Sequence, residues 1–335
     1  MNQARSSVHR ILVTGADGFI GSALTGQLEQ RGFAVRMAVR TPEQAAAQRG
    51  AVNLRAERVT LSDYSSDEDT KRALKAVDAV VHLAARVHIM SDRSASSLDE
   101  FRRVNLQWTG RLARLAAVQG VRRFLFLSSV KVNGERTTAP FTEQDPPSPE
   151  DPYAMSKWEA EKALAAISTE TGIETVIVRS PLVYGPDVRG NFLQLLKVIR
   201  SGIPLPFAGI RNQRSLIYRE NLADALIRCM QEEGASGKTY LVSDGEDLST
   251  PELIGRLADA MRVRVRLWRV PARLLLCTGR MMGKGAVIGR LVDSLQVDSS
   301  KIRHDLSWTP PFRVERGLQE AASWFLNATS ACPVA

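Results

Sequence analysis

Long apolar stretches, cysteine pairs and low-complexity tracts are missing from this sequence. It has no uninterrupted run of about 18 apolar residues, and the polar opening MNQARSSVHR is not followed by the apolar segment of a secretory signal. The three cysteines, Cys229, Cys277 and Cys332, are odd in number, widely separated and without metal-ligand spacing. We therefore expect a cytoplasmic protein without a membrane span, disulfides or a metal site.

Aromatic residues are scarce, at 6% of the chain, and the net charge of +9 is unevenly placed. The range 256–290 holds nine basic residues against one acid, Asp259. Nucleic acid is a disfavoured partner, because Trp268 is the one aromatic residue of this range that could stack on bases. The default interpretation is a solvated face. Weak contact between the stretch 272–292 and anionic lipid is the alternative.

The chain does contain short apolar runs that alternate with helical patterns. The strand-like runs are 10–15, 33–40, 52–60, 78–85, 122–129 and 174–183. Continuously apolar strands separated by helices predict a parallel sheet buried on both faces, and hence a doubly wound α/β fold. Ligands of such sheets bind beyond the carboxyl ends of the strands.

The second half of the chain has a different pattern, richer in proline and glycine. We place a dinucleotide-binding domain with the catalytic residues at 1–184, and a smaller, partly interwoven substrate lobe at 185–330. In this lobe 221–233 and 250–261 read as helices, the latter starting at Thr250 and Pro251. The range 263–270 alternates apolar and basic side chains, as a half-buried strand does.

Three glycines, Gly15, Gly18 and Gly21, stand between the first predicted strand and its helix. Such a turn lets backbone N–H groups approach a pyrophosphate, and the helix dipole favours the anion, so we predict dinucleotide binding. An acid at the end of the second strand would bind the ribose hydroxyl, but Arg40, which suits a 2′-phosphate, stands there. We expect NADP(H), with NAD(H) as the alternative. Asp63, after the third strand, could accept from the adenine amino group.

The stretch DPYAMSK predicts a helix with Asp151 as its N-cap and Pro152 in its first turn. Tyr153 and Lys157 then share one helix face, because they are four residues apart. With Ser129, which ends a predicted strand, they form a set that could reduce a carbonyl. Serine would donate to the carbonyl oxygen and tyrosine would give the proton, while lysine lowers the pKa of the tyrosine.

Other interpretations stay open for these residues. A Tyr/Lys pair four positions apart also occurs incidentally on surface helices. A serine hydrolase is the rival for Ser129, although no G-x-S-x-G motif is present. His82 and His88 lack a metal-ligand pattern, so we expect neutral structural roles for both.

The resemblance that follows covers residues 10–327, and it is carried by the ordered motifs TGADGFIG, VDAVVHLAA, RVNLQWTG, LSSVKVNGE, YAMSK, RSPLVYGP, RSLIYRENLADA and SKIRHDLSWTP. In this order and spacing the chain resembles the extended short-chain dehydrogenase/reductase superfamily, in its nucleotide-sugar epimerase/dehydratase branch, which has a Rossmann fold. The stretches AARVHIM, SSVKVNGE and LVSDGEDLSTPEL are similar to bacterial enzymes that reduce a UDP-2-acetamido-2,6-dideoxy-4-hexulose for surface polysaccharide (O-antigen) synthesis.

This resemblance implies roles for individual residues. Ser129, Tyr153 and Lys157 would be catalytic, with Lys157 also on the nicotinamide ribose, and Asn105 would be a structural active-site residue. The implied cofactor-binding residues are Gly15, Gly18, Phe19, Ile20, Gly21, Arg40, Asp63, Leu83, Ala84, Ala85 and Lys157. Besides Ser129 and Tyr153, the implied substrate-binding residues are Arg214 on the nucleotide diphosphate, Asn191 near the nucleotide, and Arg290. A homodimer is also implied.

The sequence departs from the branch at four positions: Arg40 for an acid, Trp108 for a glycine, Asn221 for an aspartate and Ser307 for a glycine. The change at Arg40 favours a reductase that exchanges NADPH, acting on a UDP-sugar, because an epimerase benefits from keeping NAD bound. A UDP-sugar 4-epimerase is the second hypothesis. A non-catalytic NADPH-binding sensor, which has no need of the acid Tyr153, is the third.

Overall fold

A computed structural model describes residues 8–41, 56–62, 65–87, 98–283 and 285–330. Its central feature is a seven-stranded, all-parallel sheet of order β3-β2-β1-β4-β5-β6-β9. The strands are β1 (Arg10–Thr14), β2 (Ala34–Val39), β3 (Glu57–Thr60), β4 (Ala79–His82), β5 (Arg123–Ser129), β6 (Glu174–Ser180) and β9 (Thr239–Leu241). Two more, β7 (Leu182–Tyr184) and β8 (Leu216–Tyr218), form a separate parallel pair. The predicted doubly wound fold is confirmed.

Helices connect the strands and build the second lobe. They are α1 (Phe19–Gln30), α2 (Asp67–Leu74), α3 (Leu98–Phe101), α4 (Trp108–Val118), α5 (Pro152–Thr171), α6 (Gly190–Arg200), α7 (Arg219–Gln231), α8 (Thr250–Met261), α9 (Ala272–Met281), α10 (Gly285–Val292), α11 (Ser300–Leu306) and α12 (Val314–Ser330). A π-helical stretch, Arg102–Gln107, joins α3 to α4, and 3₁₀ turns lie at Val130–Val132 and Glu233–Ala235. Within the described ranges, no helix combines the length and apolar character needed to cross a bilayer.

Both faces of the sheet are buried, which explains the continuously apolar strands. Ile11 and Val13 of β1 belong to one apolar cluster and Leu12 to another, because successive side chains of a strand point to opposite faces. The first cluster includes residues of α1 and α7, and the second includes residues of α4 and α5. A third cluster fills the lobe between α6, α8 and α12.

The two halves of the chain share the sheet. Strand β9 pairs with β6 at the sheet edge, and α7 packs against α1, although both come from the second half of the sequence. This arrangement accords with a partly interwoven lobe. The division at residue 184 stays a prediction.

Two local predictions need correction. The predicted strand 174–183 is divided into β6 and β7, with Pro181, which has no N–H to donate, between them. The range 263–270 is not a regular strand, because only Leu267 and Arg269 bridge the segment 205–207. Helix α8 begins at Thr250 as predicted, and Ser249 caps it in a reciprocal pair of hydrogen bonds with Glu252.

Candidate active site

The glycine turn lies at the point where the strand order reverses, between β1 and β4. Gly15 has φ of +68°, and a Cβ on it would lie 3.0 Å from the backbone nitrogen of Ala84. A Cβ on Gly21 would lie 2.1 Å from the carbonyl oxygen of Gly15, so no side chain fits there. Gly18 is the N-cap of α1, and no side chain caps this helix. The turn therefore fits a dinucleotide pyrophosphate held by backbone N–H groups.

The other predicted cofactor-binding residues border this turn or follow the next strand. Phe19 and Ile20 are half-buried in the first turn of α1. Leu83, Ala84 and Ala85 follow β4, and the backbone nitrogen of Leu83 donates to the carbonyl of Thr14 over 3.2 Å. Their roles in binding stay predictions.

Arg40 is exposed directly after β2, at the carboxyl end of the sheet where a ribose would lie. The predicted adenine contact, Asp63, and the second histidine, His88, lie outside the described residues. Arg40 is therefore the one predicted determinant of cofactor choice that the structure places.

His82 is the last residue of β4, and its ring links Thr14, beside the glycine turn, to Thr109 of α4. Thr109 donates to the carbonyl of Asn105 over 2.8 Å, so its oxygen accepts from Nε2–H of His82 over 3.0 Å. Nδ1 of His82 then accepts from the hydroxyl of Thr14 over 2.7 Å, and Thr14 accepts from the Ala84 nitrogen over 3.2 Å. Burial, with a smaller effect of the Lys157 charge, lowers the pKa of His82 to about 3. A neutral structural role accords with the sequence prediction.

Asn105 lies fully buried in the π-helical stretch. Its Oδ1 accepts from the backbone nitrogen of Arg86 over 2.8 Å, and its Nδ2 donates to the carbonyl of the same residue over 3.0 Å. Nδ2 also donates to Oγ of Ser156, 3.0 Å away on α5. Asn105 therefore fixes the segment after β4 against the helix that carries Tyr153, which accords with the structural role implied by the resemblance.

Helix α5 begins as predicted. Oδ1 of Asp151 accepts from the Ala154 nitrogen over 2.7 Å, and Pro152 is the first helical residue. Tyr153 is half-buried, with its ring edge-on to Phe101 at 6.3 Å between centroids. Among the described residues, no hydrogen-bond partner of the Tyr153 hydroxyl is found.

A lysine between two acids ties the end of β5 to the start of this helix. The backbone nitrogen of Lys131 donates to Oγ of Ser129 over 3.3 Å. Its Nζ donates to Glu135 over 2.6 Å and to Asp151, the helix cap, over 2.5 Å. Ser129 and Tyr153 are thereby held near the same carboxyl end of β5. The sequence reasoning missed Lys131, because its contact with Asp151 joins residues that are 20 positions apart.

Lys157 reaches back over β5. Its Nζ donates to the carbonyl of Leu127 over 2.8 Å and lies 4.2 Å from the centroid of the Phe126 ring. Burial lowers the pKa of Lys157 to about 7, against the opposing effect of the Glu161 carboxylate.

The predicted lowering of the Tyr153 pKa by Lys157 is wrong for this structure. Burial raises the pKa of the phenol above its ordinary value, and the negative charge of Asp151 adds to the rise. The desolvation of the phenolate and the charge of Asp151 together set the direction of the shift. Tyr153 therefore keeps its proton at neutral pH, as a general acid must.

A buried ion pair below Lys157 was also missed. Arg179 on β6 donates to both carboxylate oxygens of Glu161, over 3.0 and 2.6 Å, and the two side chains are almost fully buried. Ser128 donates to the same carboxylate over 2.5 Å, and Arg179 also donates to Asn133 over 3.0 Å. The pair is fully hydrogen-bonded and lies one helical turn from Lys157. It fixes α5 on β5 and β6.

Two of the three predicted nucleotide-binding residues, Arg214 and Arg290, are half-buried in the second lobe. The segment of Arg214 pairs with Leu248 on one side and Leu295 on the other, and its Nη1 donates to the carbonyl of Asp293 over 2.9 Å. Burial lowers the pKa of Arg214, and the positive charge of Arg290 acts in the same direction. The negative charge of Asp293 opposes both effects. Half-buried guanidiniums suit a diphosphate.

The third predicted residue, Asn191, is exposed in the first turn of α6. Within the described part of the chain, no hydrogen bond joins it to the arginine pair. Its role near the nucleotide stays a prediction.

Known proteins resemble this chain along most of its length. The family model described as "NAD dependent epimerase/dehydratase family" matches residues 11–243. A UDP-glucose 4-epimerase of Vibrio cholerae is 39% identical over 325 residues, covering 96% of each chain.

Solved structures share the fold. A UDP-glucose 4-epimerase of Thermotoga maritima, solved with UDP-glucose, is 21% identical, with a TM-score of 0.75 over 95% of this chain and 99% of the other. A UDP-glucuronic acid 4-epimerase of Bacillus cereus, solved with NAD, is 20% identical, with a TM-score of 0.77 over 95% and 99%. By the family model and the Vibrio relative, this chain belongs to the NAD-dependent epimerase/dehydratase family.

Proposed function

We propose that this protein is a reductase that acts on the 4-keto group of a UDP-2-acetamido-2,6-dideoxyhexulose, with NADP(H) preferred over NAD(H). The observation that carries this proposal is Arg40, which stands exposed after β2 where an enzyme that retains NAD benefits from an acid. Synthesis of a surface polysaccharide sugar in the cytoplasm, by a homodimer, completes the proposal and rests on the family resemblance.

The residues of the carboxyl edge have complementary tasks. The glycine turn would hold the pyrophosphate, Arg40 the ribose phosphate and Lys157 the nicotinamide ribose. When bound, the nicotinamide supplies the hydride that reduces the carbonyl carbon. Ser129 donates a hydrogen bond to the carbonyl oxygen, and Tyr153 gives that oxygen its proton, so the product is an alcohol. Tyr153 is protonated at neutral pH, as this step requires.

Substrate selection would fall to the lobe. Arg214 and Arg290 offset the charge of the nucleotide diphosphate, and the backbone pairing of Arg214 with Leu248 and Leu295 fixes where that diphosphate lies. Binding energy gathered there is used to place the sugar carbonyl against Ser129 and Tyr153.

A UDP-sugar 4-epimerase is the second candidate, and the 39% identical Vibrio cholerae relative favours it. An epimerase removes hydride from a sugar and returns it to the same sugar, so it needs no net supply of reduced nicotinamide. The same residues would serve, with Tyr153 acting first as base.

The two functions differ in one measurement. Purified protein is incubated with the UDP-linked 4-keto sugar and NADPH or NADH, and the products are identified by NMR. The reductase consumes one NADPH for each alcohol formed and needs added nicotinamide. Interconversion of UDP-sugars without added nicotinamide, together with co-purified NAD, would contradict the reductase. The variant Tyr153→Phe provides the background rate.

A further inference from the structure

An exposed surface rich in arginine and large apolar side chains has no part in the proposed reaction. We call it the arginine surface, and it comprises Arg262, Arg264, Arg266, Arg269, Arg273 and Arg280 with Trp268, Leu274, Met281 and Met282. All six arginines are exposed, and no carboxylate of the described residues forms an ion pair with any of them. By contrast, Arg256, in the same basic range, is paired with Glu246 and Glu315.

The apolar members distinguish this surface from an ordinary solvated face. Nine large apolar side chains are exposed in the described ranges, and four of them belong to the arginine surface, so the clustering is strong. Met281 is 84% exposed, Met282 69%, Trp268 63% and Leu274 54%. Exposed arginines alone are typical of a solvated face. Exposed tryptophan and methionine side chains clustered beside them indicate a surface that contacts an apolar partner.

The backbone presents these side chains in an ordered way. In 263–268, Val263, Val265 and Leu267 are half-buried, whereas the intervening residues are exposed. Hydrogen bonds of 2.8 Å from the Leu205 nitrogen to the Arg266 carbonyl, and from the Trp268 nitrogen to the Leu205 carbonyl, fix this strip. Trp268 therefore projects outward from a fixed backbone.

Helix α9 continues the same surface. It buries only Leu275 and Gly279, and Gly279 packs so closely on α10 that a Cβ would lie 2.7 Å from Cγ1 of Ile288. Residues four and seven positions apart share a helix face, so Leu274 and Met281 form an apolar ridge beside Arg273 and Arg280. A basic helix with an exposed apolar ridge is typical of helices that lie in a lipid interface.

We propose that the arginine surface docks on a bilayer that carries anionic phospholipid. The guanidiniums lie against the headgroups, while Trp268, Leu274, Met281 and Met282 enter the boundary between headgroups and acyl chains. Nucleic acid fits less well, because one aromatic side chain offers little stacking. The same helix pair carries Arg290 on α10, so docking places the lobe that would bind the nucleotide beside the membrane.

The test is co-sedimentation of the whole protein with phosphatidylcholine vesicles that contain either no anionic lipid or about 30% phosphatidylglycerol. We expect partitioning onto the anionic vesicles at least about tenfold stronger, falling as salt rises from about 0.05 M to about 0.5 M. Vesicle binding should also shift the emission of Trp268, and Trp268→Phe should remove that shift. Absence of binding to anionic vesicles would overturn the proposal.

Two double variants separate the contribution of charge to vesicle binding from the contribution of the apolar side chains. Arg273→Gln with Arg280→Gln, and Met281→Ser with Met282→Ser, should each weaken vesicle binding about tenfold or more. Arg72→Gln with Arg313→Gln removes the same charge from exposed residues elsewhere and should bind as the wild type does. All the changed side chains are exposed, and unchanged melting temperatures would verify folding. Equal vesicle binding by the surface variants and the wild type would contradict a lipid partner.

Discussion

Charge is handled in opposite ways at the carboxyl edge of the sheet and on the arginine surface. At the sheet edge, Lys157 and the Glu161–Arg179 pair are buried, and each has fixed hydrogen-bond partners. On the arginine surface, the guanidiniums face solvent, without an ion pair to any described carboxylate. Buried charges are costly to disturb, whereas exposed ones are available to a partner. The comparison thus separates charged groups that are fixed at the candidate active site from charged groups that are proposed to contact lipid.

The largest effect on stability is expected from breaking the buried pair. Arg179→Met leaves the Glu161 carboxylate buried without its guanidinium, so the free energy of unfolding should fall by about 3–5 kcal/mol. Urea denaturation measures the change. Arg114→Met is the matched control, because Arg114 pairs with Glu170 on the exposed surface. Equal losses for both variants would remove the distinction between buried and exposed charge.

A double variant sharpens the same point. Replacing both partners, with Glu161→Leu and Arg179→Met, should recover most of the stability that Arg179→Met loses, because no charge then remains buried and unpaired. No recovery would mean that the loss comes from packing rather than from the orphaned carboxylate.

The second effect is the acid dependence of stability due to His82. Its folded pKa of about 3 lies below the unfolded value of about 6.5, so the unfolded chain binds more protons between these values. Neutral His82 makes its full contribution to the free energy of unfolding above the unfolded pKa, and this contribution is lost as pH falls toward the folded pKa. Between about pH 6 and pH 4 this amounts to about 2 kcal/mol. His82→Gln should flatten this part of the stability curve.

The matched control for His82 is His304, whose side chain is 90% exposed. His304→Gln should leave the acid slope of the free energy of unfolding close to that of the wild type. Identical slopes for His82→Gln and the wild type would contradict a buried neutral imidazole.

The smallest of these effects concerns the exposed end of the cofactor site. Arg40→Ser should lower the ratio of NADPH to NADH affinity by about tenfold, since one guanidinium contact to a phosphate is lost. Calorimetric titration of both nucleotides measures the ratio directly. Arg72→Ser, which changes an exposed arginine on α2, is the control. An unchanged ratio would remove Arg40 from the argument for NADPH.

Local patterns made much of the fold predictable. The continuously apolar strands, the glycine turn and the Asp151 cap each depend on residues close together in sequence, and the structure contains all three. Even the burial alternation of 263–268 is present, although the segment has too few partners to be a strand.

Long-range contacts left no such pattern. Asn105 and Ser156 are 51 residues apart in sequence, and Arg179 and Glu161 are 18 apart on different elements. The π-helical stretch was also unforeseen, and Asn105 within it is held by long-range hydrogen bonds with Arg86 and Ser156. The direction of the Tyr153 pKa shift follows from burial, which no spacing of residues reveals.

The central claim is that the Tyr153 phenol gives its proton to the sugar carbonyl oxygen, and turnover by Tyr153→Phe tests it most directly. The variant removes the acid while keeping the ring against Phe101, and within the described residues its lost hydroxyl has no hydrogen-bond partner. Turnover of the 4-keto sugar nucleotide should fall by about 100- to 10,000-fold, with nicotinamide affinity and melting temperature close to the wild type. Turnover at the wild-type rate would contradict the account.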